Sequence, residues 1–241
     1  MFEQNNIVPF FFSFLPALLY AFLIFLSAPY KSIKMKVAFF YFLMGVLSAL
    51  IVNSVHYIFP NWKSALSDNT VIALWLYATV QVGLLEESTK LFMFKIGDNY
   101  RKRLLDTPVA TMFYCMSASM GFAVLENLSY LQLYGKDVLF IRAFTAVVMH
   151  LVTGLMMGYM IAKGRTAGNT MAENMSPAWK ERVFVLLGLA FATFYHGVYD
   201  FNIFLENFPG SNYPIFYVIG PGVVISYLML RDIAWQKYKK S

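Results

Sequence analysis

The chain has 241 residues, 59% hydrophobic and only 13% charged, with a formal net charge of +6, three His and a single Cys. Soluble domains carry about 25% charged residues, so this composition excludes a water-facing globular surface, and it excludes disorder and a disulfide scaffold equally. The basic residues form no face or run of the kind that binds nucleic acid, which leaves a single-domain membrane protein.

Continuous apolar runs at about 8–28, 37–59, 71–94, 108–133, 138–162, 183–205 and 213–230 each approach or exceed the roughly 20 residues that cross a hydrocarbon core. The runs do not alternate, which argues against a β-barrel. The expected fold is therefore all-α, with residues 1–241 forming one polytopic bundle of about seven transmembrane helices. No Lys or Arg precedes the first run and no small-residue cleavage site follows it, so it reads as a span rather than a secretory signal.

Basic residues set the direction. Lys31, Lys34 and Lys36 follow span one; Lys95, Arg101, Lys102 and Arg103 follow span three. Lys163, Arg165, Lys180 and Arg182 follow span five, and Arg231, Lys237, Lys239 and Lys240 end the chain. Lys63, Lys136 and Arg142 lie on the other side. The positive-inside rule then puts the N-terminus outside and the C-terminus in the cytoplasm.

Ionisable residues inside the spans carry the functional information, because each costs about 2.5–3.5 kcal/mol at a helix centre on insertion scales. Glu86, Glu87 and Lys90 lie in span three, Glu126 and Asn127 in span four, Arg142 and His150 in span five, and His196 and Asp200 in span six. His56 falls near the outer end of span two and reads as interfacial. Glu86 precedes Lys90 by four, the favourable order for an intrahelical ion pair, which leaves Glu87 rotated about 100° away; both carboxylates need not pair with Lys90, so one of the two stays available for proton transfer. His196 and Asp200 share a helix face, so the carboxylate can fix the imidazole tautomer. Glu126 shares a face with Phe122 and Tyr130, and His150 with Gly154, where a neighbouring backbone can approach closely. Counted at about 1.5 Å per residue from the outer ends, His150 and His196 lie roughly 14–18 Å deep, Glu126 roughly 12 Å, Glu86 roughly 22 Å and Asp200 roughly 8 Å. Within a turn of error at each boundary, these side chains line one outward-opening cavity. Cys115 reads as an apolar packing residue. Chemistry alone leaves two classes open, a hydrolytic carboxylate–His site and a transport pathway.

Four motifs resemble one family. Glu86-Glu87-Ser88-Thr89-Lys90 is similar to the EExxK motif of the PrsW intramembrane proteases, and Gly121-Phe122-Ala123-Val124-Leu125-Glu126-Asn127 to their GFAxxEN stretch, with Tyr130 after it. His150 to Gly154 resembles HxxxG and His196 to Asp200 resembles HxxxD, with Arg142 also in place. The motifs keep the family's order on consecutive spans between residues 86 and 200. The chain departs from the family at Ala110, Thr111 and Cys115, outside the four motifs, which bears on local helix packing.

The resemblance implies a polytopic protease related to the CAAX-type prenyl endopeptidases, in the cytoplasmic membrane of a bacterium. Its substrate would be a single-span membrane protein, such as an anti-sigma factor, cut near the outer membrane face. The family has been classed as both metallo- and glutamic-type. In this chain Glu86 or Glu87 would act as general base, with the choice between them open; His150 and His196 would hold the water or donate to the oxyanion. Asp200 would orient His196, Glu126 would be a second acid, Asn127 would grip substrate backbone, and Lys90 would tune the Glu pair. Glu126, His150 and His196 also form an N/O set suited to zinc with an open water position, Glu87 being a further candidate. Two other readings compete: a catalytically silent scaffold of the same fold, and an ion or proton transporter, which the lack of a visible repeat disfavours. A retinal receptor is dropped because span seven contains no Lys.

Overall fold

Apolar, weakly amphipathic segments of this length satisfy their backbone polar groups by becoming helices, and every regular element is helical among the residues described by the computed structural model, 33–59, 70–100, 107–166, 176–205 and 216–238. The run at 8–28, and with it the N-terminal side of the topology, lies outside the described residues. Helix α1 spans Met35–Ile58, α2 Val71–Leu76, α3 Leu85–Tyr100, α4 Pro108–Tyr134, α5 Asp137–Phe144, α6 Ala146–Thr166, α7 Pro177–Leu205 and α8 Phe216–Tyr238. Four segments among these residues are long and apolar enough to cross a membrane: α1, α4, Asp137–Thr166 and α7. The chain is thus an all-helical integral membrane protein.

Two expected spans are built differently from a plain helix. Between α2 and α3, Tyr77–Leu84 winds as a π-helix, so the segment expected at 71–94 changes pitch immediately before the two glutamates. Such turns occur most often at functional sites. The segment expected at 138–162 breaks at Thr145 (φ −121°, ψ −75°), separating α5 from α6. The Thr145 hydroxyl donates to the Ile141 carbonyl at 2.9 Å and accepts from the Tyr199 hydroxyl at 3.1 Å, so the break is tied to α7.

Helix α4 is the hub. Its start is fixed by Thr107, whose side chain accepts from the Ala110 N–H at 3.1 Å, with Pro108 in the first turn where no N–H is needed. It ends at Gly135, whose φ of +80° is open to glycine and strained for other residues. From Ala110 to Val124 every residue of α4 is buried. Helix α1 packs against α4 almost backbone to backbone: a Cβ on Gly45 would lie 1.7 Å from the Ala118 carbonyl oxygen, and one on Gly121 1.9 Å from that of Phe42. Helix α6 crosses the opposite side of α4, and α7 covers both α6 and the π-helical turn. This arrangement brings α3, α4, α6 and α7 around one point.

Candidate active site

At that point every ionisable residue singled out within the spans is found. Helix α3 supplies Glu86, Glu87 and Lys90; α4 supplies Glu126 and Asn127; α5, α6 and α7 supply Arg142, His150, and His196 with Asp200. Glu87, Lys90, His150 and His196 have side chains no more than 4% exposed. Glu126 at 20% and Asp200 at 14% are the more open members of the cluster.

The residues form a continuous chain of contacts. Arg142 reaches Glu126 at 2.7 Å and donates through Nε to Asn127 Oδ1 at 2.8 Å. Glu126 Oε2 lies 2.8 Å from His150 Nε2, and His150 Nδ1 lies 2.9 Å from Lys90 Nζ. Lys90 donates to Glu87 Oε1 at 2.8 Å, and the same oxygen lies 2.8 Å from His196 Nδ1. Beyond it, His196 Nε2 is 3.3 Å from Asp200 and 3.7 Å from Glu86.

An ammonium can only donate, so His150 Nδ1 accepts from Lys90 and its Nε2–H donates to Glu126. For His196 the order reverses. Glu87 accepts from Nδ1–H, and Nε2 is aimed between the Asp200 and Glu86 carboxylates, as a donor when the ring is protonated and as a lone pair when it is neutral. Glu86 Oε2 is buried and has no hydrogen-bond partner among the described residues, lying 3.6 Å from Lys90. The expected i,i+4 ion pair of Glu86 with Lys90 is present at 3.6 Å, and the i,i+3 pair Glu87–Lys90 at 2.8 Å is the closer of the two, so Glu86 is the less engaged acid. A tertiary contact explains the difference: His196 and Lys90 together hold Glu87.

Glu86, His150 and His196 each offer one ligand atom, all within 4.8 Å of one another. Glu126, expected from the sequence beside the two His, is instead engaged by Arg142 and His150. Four carboxylates (Glu86, Glu87, Glu126, Asp200) face two fixed cations (Lys90, Arg142), an excess that protonated imidazole or a divalent cation would offset. Glu86 Oε2 and one nitrogen each of His150 and His196 match the three-ligand pattern of catalytic zinc sites, provided that the metal displaces Lys90 from His150 Nδ1, and the Glu87–His196 bond fits the carboxylate that supports a metal-bound His.

Aromatic walls complete the site. Lys90 sits 4.0 Å from the Phe122 ring centroid, which is also 5.3 Å from the His150 ring, and Arg142 lies 3.7 Å from the Tyr130 centroid. The spacing of Phe122 and Tyr130 around Glu126 marks their face, whereas their cationic partners come from other helices. Sequence reasoning missed a second charged cluster. There Lys95 meets Glu181 at 2.8 Å, Arg165 bonds Asp98, and Arg165 Nε lies 3.4 Å from Glu181, joining α3, α6 and α7 about two turns past Lys90 along α3.

A family profile described as "PrsW family intramembrane metalloprotease" matches residues 34–229. Among curated proteins, the chain is 31% identical over 160 residues to a protein from Oceanobacillus iheyensis named Protease PrsW, covering 66% of each chain. It is 29% identical over 160 residues to the protein of the same name from Bacillus subtilis, again covering 66% of each. With that from Shouchella clausii identity is 27% over 206 residues and 86% of each chain. The chain thus spans just under two thirds of the length of the first two relatives. No solved structure matches.

Proposed function

The chain belongs to the PrsW family, and on that premise we propose that it is an intramembrane endopeptidase that hydrolyses a peptide bond of a membrane-anchored protein. The observation that carries this reading is the convergence of Glu86, Glu87, Glu126, His150 and His196 from four helices within a bilayer-spanning bundle. The Glu86 oxygen, buried without a hydrogen-bond partner among the described residues, supports this reading as a group free to take a proton.

In this proposal the full topology has seven spans, the N-terminus outside and the C-terminus in the cytoplasm of a bacterial cytoplasmic membrane. The substrate is a single-span protein, an anti-sigma factor being one such, cut near the outer face. Glu86 takes the proton from the attacking water and returns it to the leaving amine, because it is the carboxylate not held by another donor. Glu87 holds His196 with Nε2 directed into the site, and Asp200 limits that ring's rotation. His150, held through Nδ1 by Lys90, redirects its Nε2–H from Glu126 to the developing oxyanion as the substrate carbonyl enters. Arg142 keeps Glu126 in place at the more open edge and Asn127 buried beside it, the Asn127 amide nitrogen being the group offered to substrate backbone. When bound, zinc would be held by Glu86, His150 and His196, with Glu126 beside them and Lys90 displaced from His150 Nδ1, and its Lewis-acid polarisation of the water would stand in place of Glu86 as base.

The test is cleavage of epitope-tagged single-span membrane proteins co-expressed with the chain. Glu86→Gln and His196→Ala are expected to abolish cleavage while the purified variants stay monodisperse. Unchanged cleavage in either variant would sink the assignment. Metal analysis paired with cleavage after chelation decides the metal: full activity in metal-free protein removes zinc from the proposal.

A further inference from the structure

Directly against the Glu87–Lys90 pair lies a cavity with about 10 Å³ of space for the centre of a water molecule, its polar wall formed by Glu87, Lys90 and Ser119. The remaining lining is almost wholly apolar, with Phe94 and Met157 prominent. That volume admits about one water, and a buried water makes about three hydrogen bonds. Three positions are open on this wall. Lys90 has three N–H groups, of which Glu87 and His150 engage two, Glu86 lying beyond bonding distance at 3.6 Å. Both hydrogen bonds of Glu87 end on Oε1, so Oε2 has no protein donor among the described residues. Ser119 is 3% exposed and lines the cavity.

We propose that one ordered water occupies this cavity, accepting from Lys90 Nζ and donating to Glu87 Oε2 and the Ser119 hydroxyl, and that Ser119 is thereby a positioning residue for the Glu87–His196 pair. The inference rests on the reading of Glu87 as the carboxylate that orients His196. It also gives Gly154 a reason beyond helix packing: a Cβ there would lie 2.6 Å from Ser119 Oγ and 2.9 Å from its Cβ, so any larger residue displaces the hydroxyl from the wall. The amphipathic wall explains why the cavity is not filled by a methyl group. An apolar filler would leave an ammonium proton and a carboxylate oxygen without partners.

Ser119→Val and Ser119→Thr are nearly isosteric and differ in the hydroxyl, so they separate wet from dry. Cleavage of the tagged substrate and the melting temperature of the purified protein are both measured. Ser119→Val is expected to reduce cleavage about tenfold, the size of one buried hydrogen bond, and to lower the melting temperature, whereas Ser119→Thr stays within about twofold of wild type. Equal effects in the two variants overturn the role of the hydroxyl, and a higher melting temperature in Ser119→Val shows a dry cavity. Should Ser119→Val fail to fold, a wild-type density map that resolves ordered solvent decides: a peak bridging Glu87, Lys90 and Ser119 supports the proposal, and an empty cavity overturns it. Melting temperature and density report the water even if wild type cleaves nothing, so failure of the peptidase reading is distinguishable from failure of this one.

Discussion

Lys90 is the residue on which the cluster's electrostatics turn. It lies 2.8 Å from Glu87, 2.9 Å from His150 and 3.6 Å from Glu86, over the Phe122 ring, with a side chain 4% exposed. Replacing it by Met keeps the volume and removes the charge. Breaking a buried pair from one side costs about 3–5 kcal/mol, because the partner's charge is left uncompensated. At about 2–4 °C per kcal/mol for a chain of this size, the melting temperature should fall by about 6–20 °C. Replacing Glu87 as well, as Glu87→Leu with Lys90→Met, removes the stranded charge and leaves two neutral groups unpaired, the His196 N–H and His150 Nδ1, at about 1–3 kcal/mol each. The double variant should therefore melt no lower than Lys90→Met and recover none of the cleavage. Thermal unfolding in detergent and cleavage of the tagged substrate measure the two quantities separately. A Lys90→Met protein that melts like wild type, or a double variant that cleaves, would refute the argument that this pair is both paired by burial and required by the chemistry.

Other consequences follow from the geometry. Arg142→Lys replaces a planar fork that serves Glu126, Asn127 and the Tyr130 face together with a single ammonium; cleavage should drop roughly tenfold with little change in melting temperature, and unchanged cleavage would show the rim contact to be dispensable. Gly121→Ala puts a Cβ 1.9 Å from the Phe42 carbonyl oxygen, so overpacking should cost about 1–3 kcal/mol or more. Gly135→Ala meets nothing within 4 Å and is strained only by its φ of +80°, at about 1–2 kcal/mol; ranking their melting temperatures checks which strain dominates, and Gly135→Ala melting lower would contradict the close α1–α4 approach. Glu181→Gln opens the second charged cluster, where Glu181 is 33% exposed and the expected loss is about 1 kcal/mol or less. That variant should cleave at more than half the wild-type rate, and lost cleavage would place the cluster in the reaction.

What the sequence makes legible here is which residues must find partners; which partners they find depends on groups arriving from other helices. Burial made Glu86, Glu87, Lys90, Glu126, His150 and His196 conspicuous, since a bilayer span carries such groups only if they meet one another. The i,i+4 spacing brings Glu86 within ion-pair reach of Lys90 at 3.6 Å, a pairing worth about 0.2–0.5 kcal/mol on an isolated helix. It does not foresee the closer Glu87–Lys90 bond, which forms where His196 arrives from α7 to share Glu87 Oε1 with Lys90. The same logic moved Glu126: its spacing in the sequence allowed it to stand with the two His, yet Arg142 at 2.7 Å from the short helix α5 claims it, and Glu86 comes into the group instead. The backbone departures were invisible for a different reason. Neither the π-helical Tyr77–Leu84 nor the break at Thr145 has a Pro, and the apolar pattern runs through both without interruption. Hydropathy measures the transfer of side chains into lipid and is indifferent to helical pitch, although pitch before Leu85 decides which way two adjacent glutamates point.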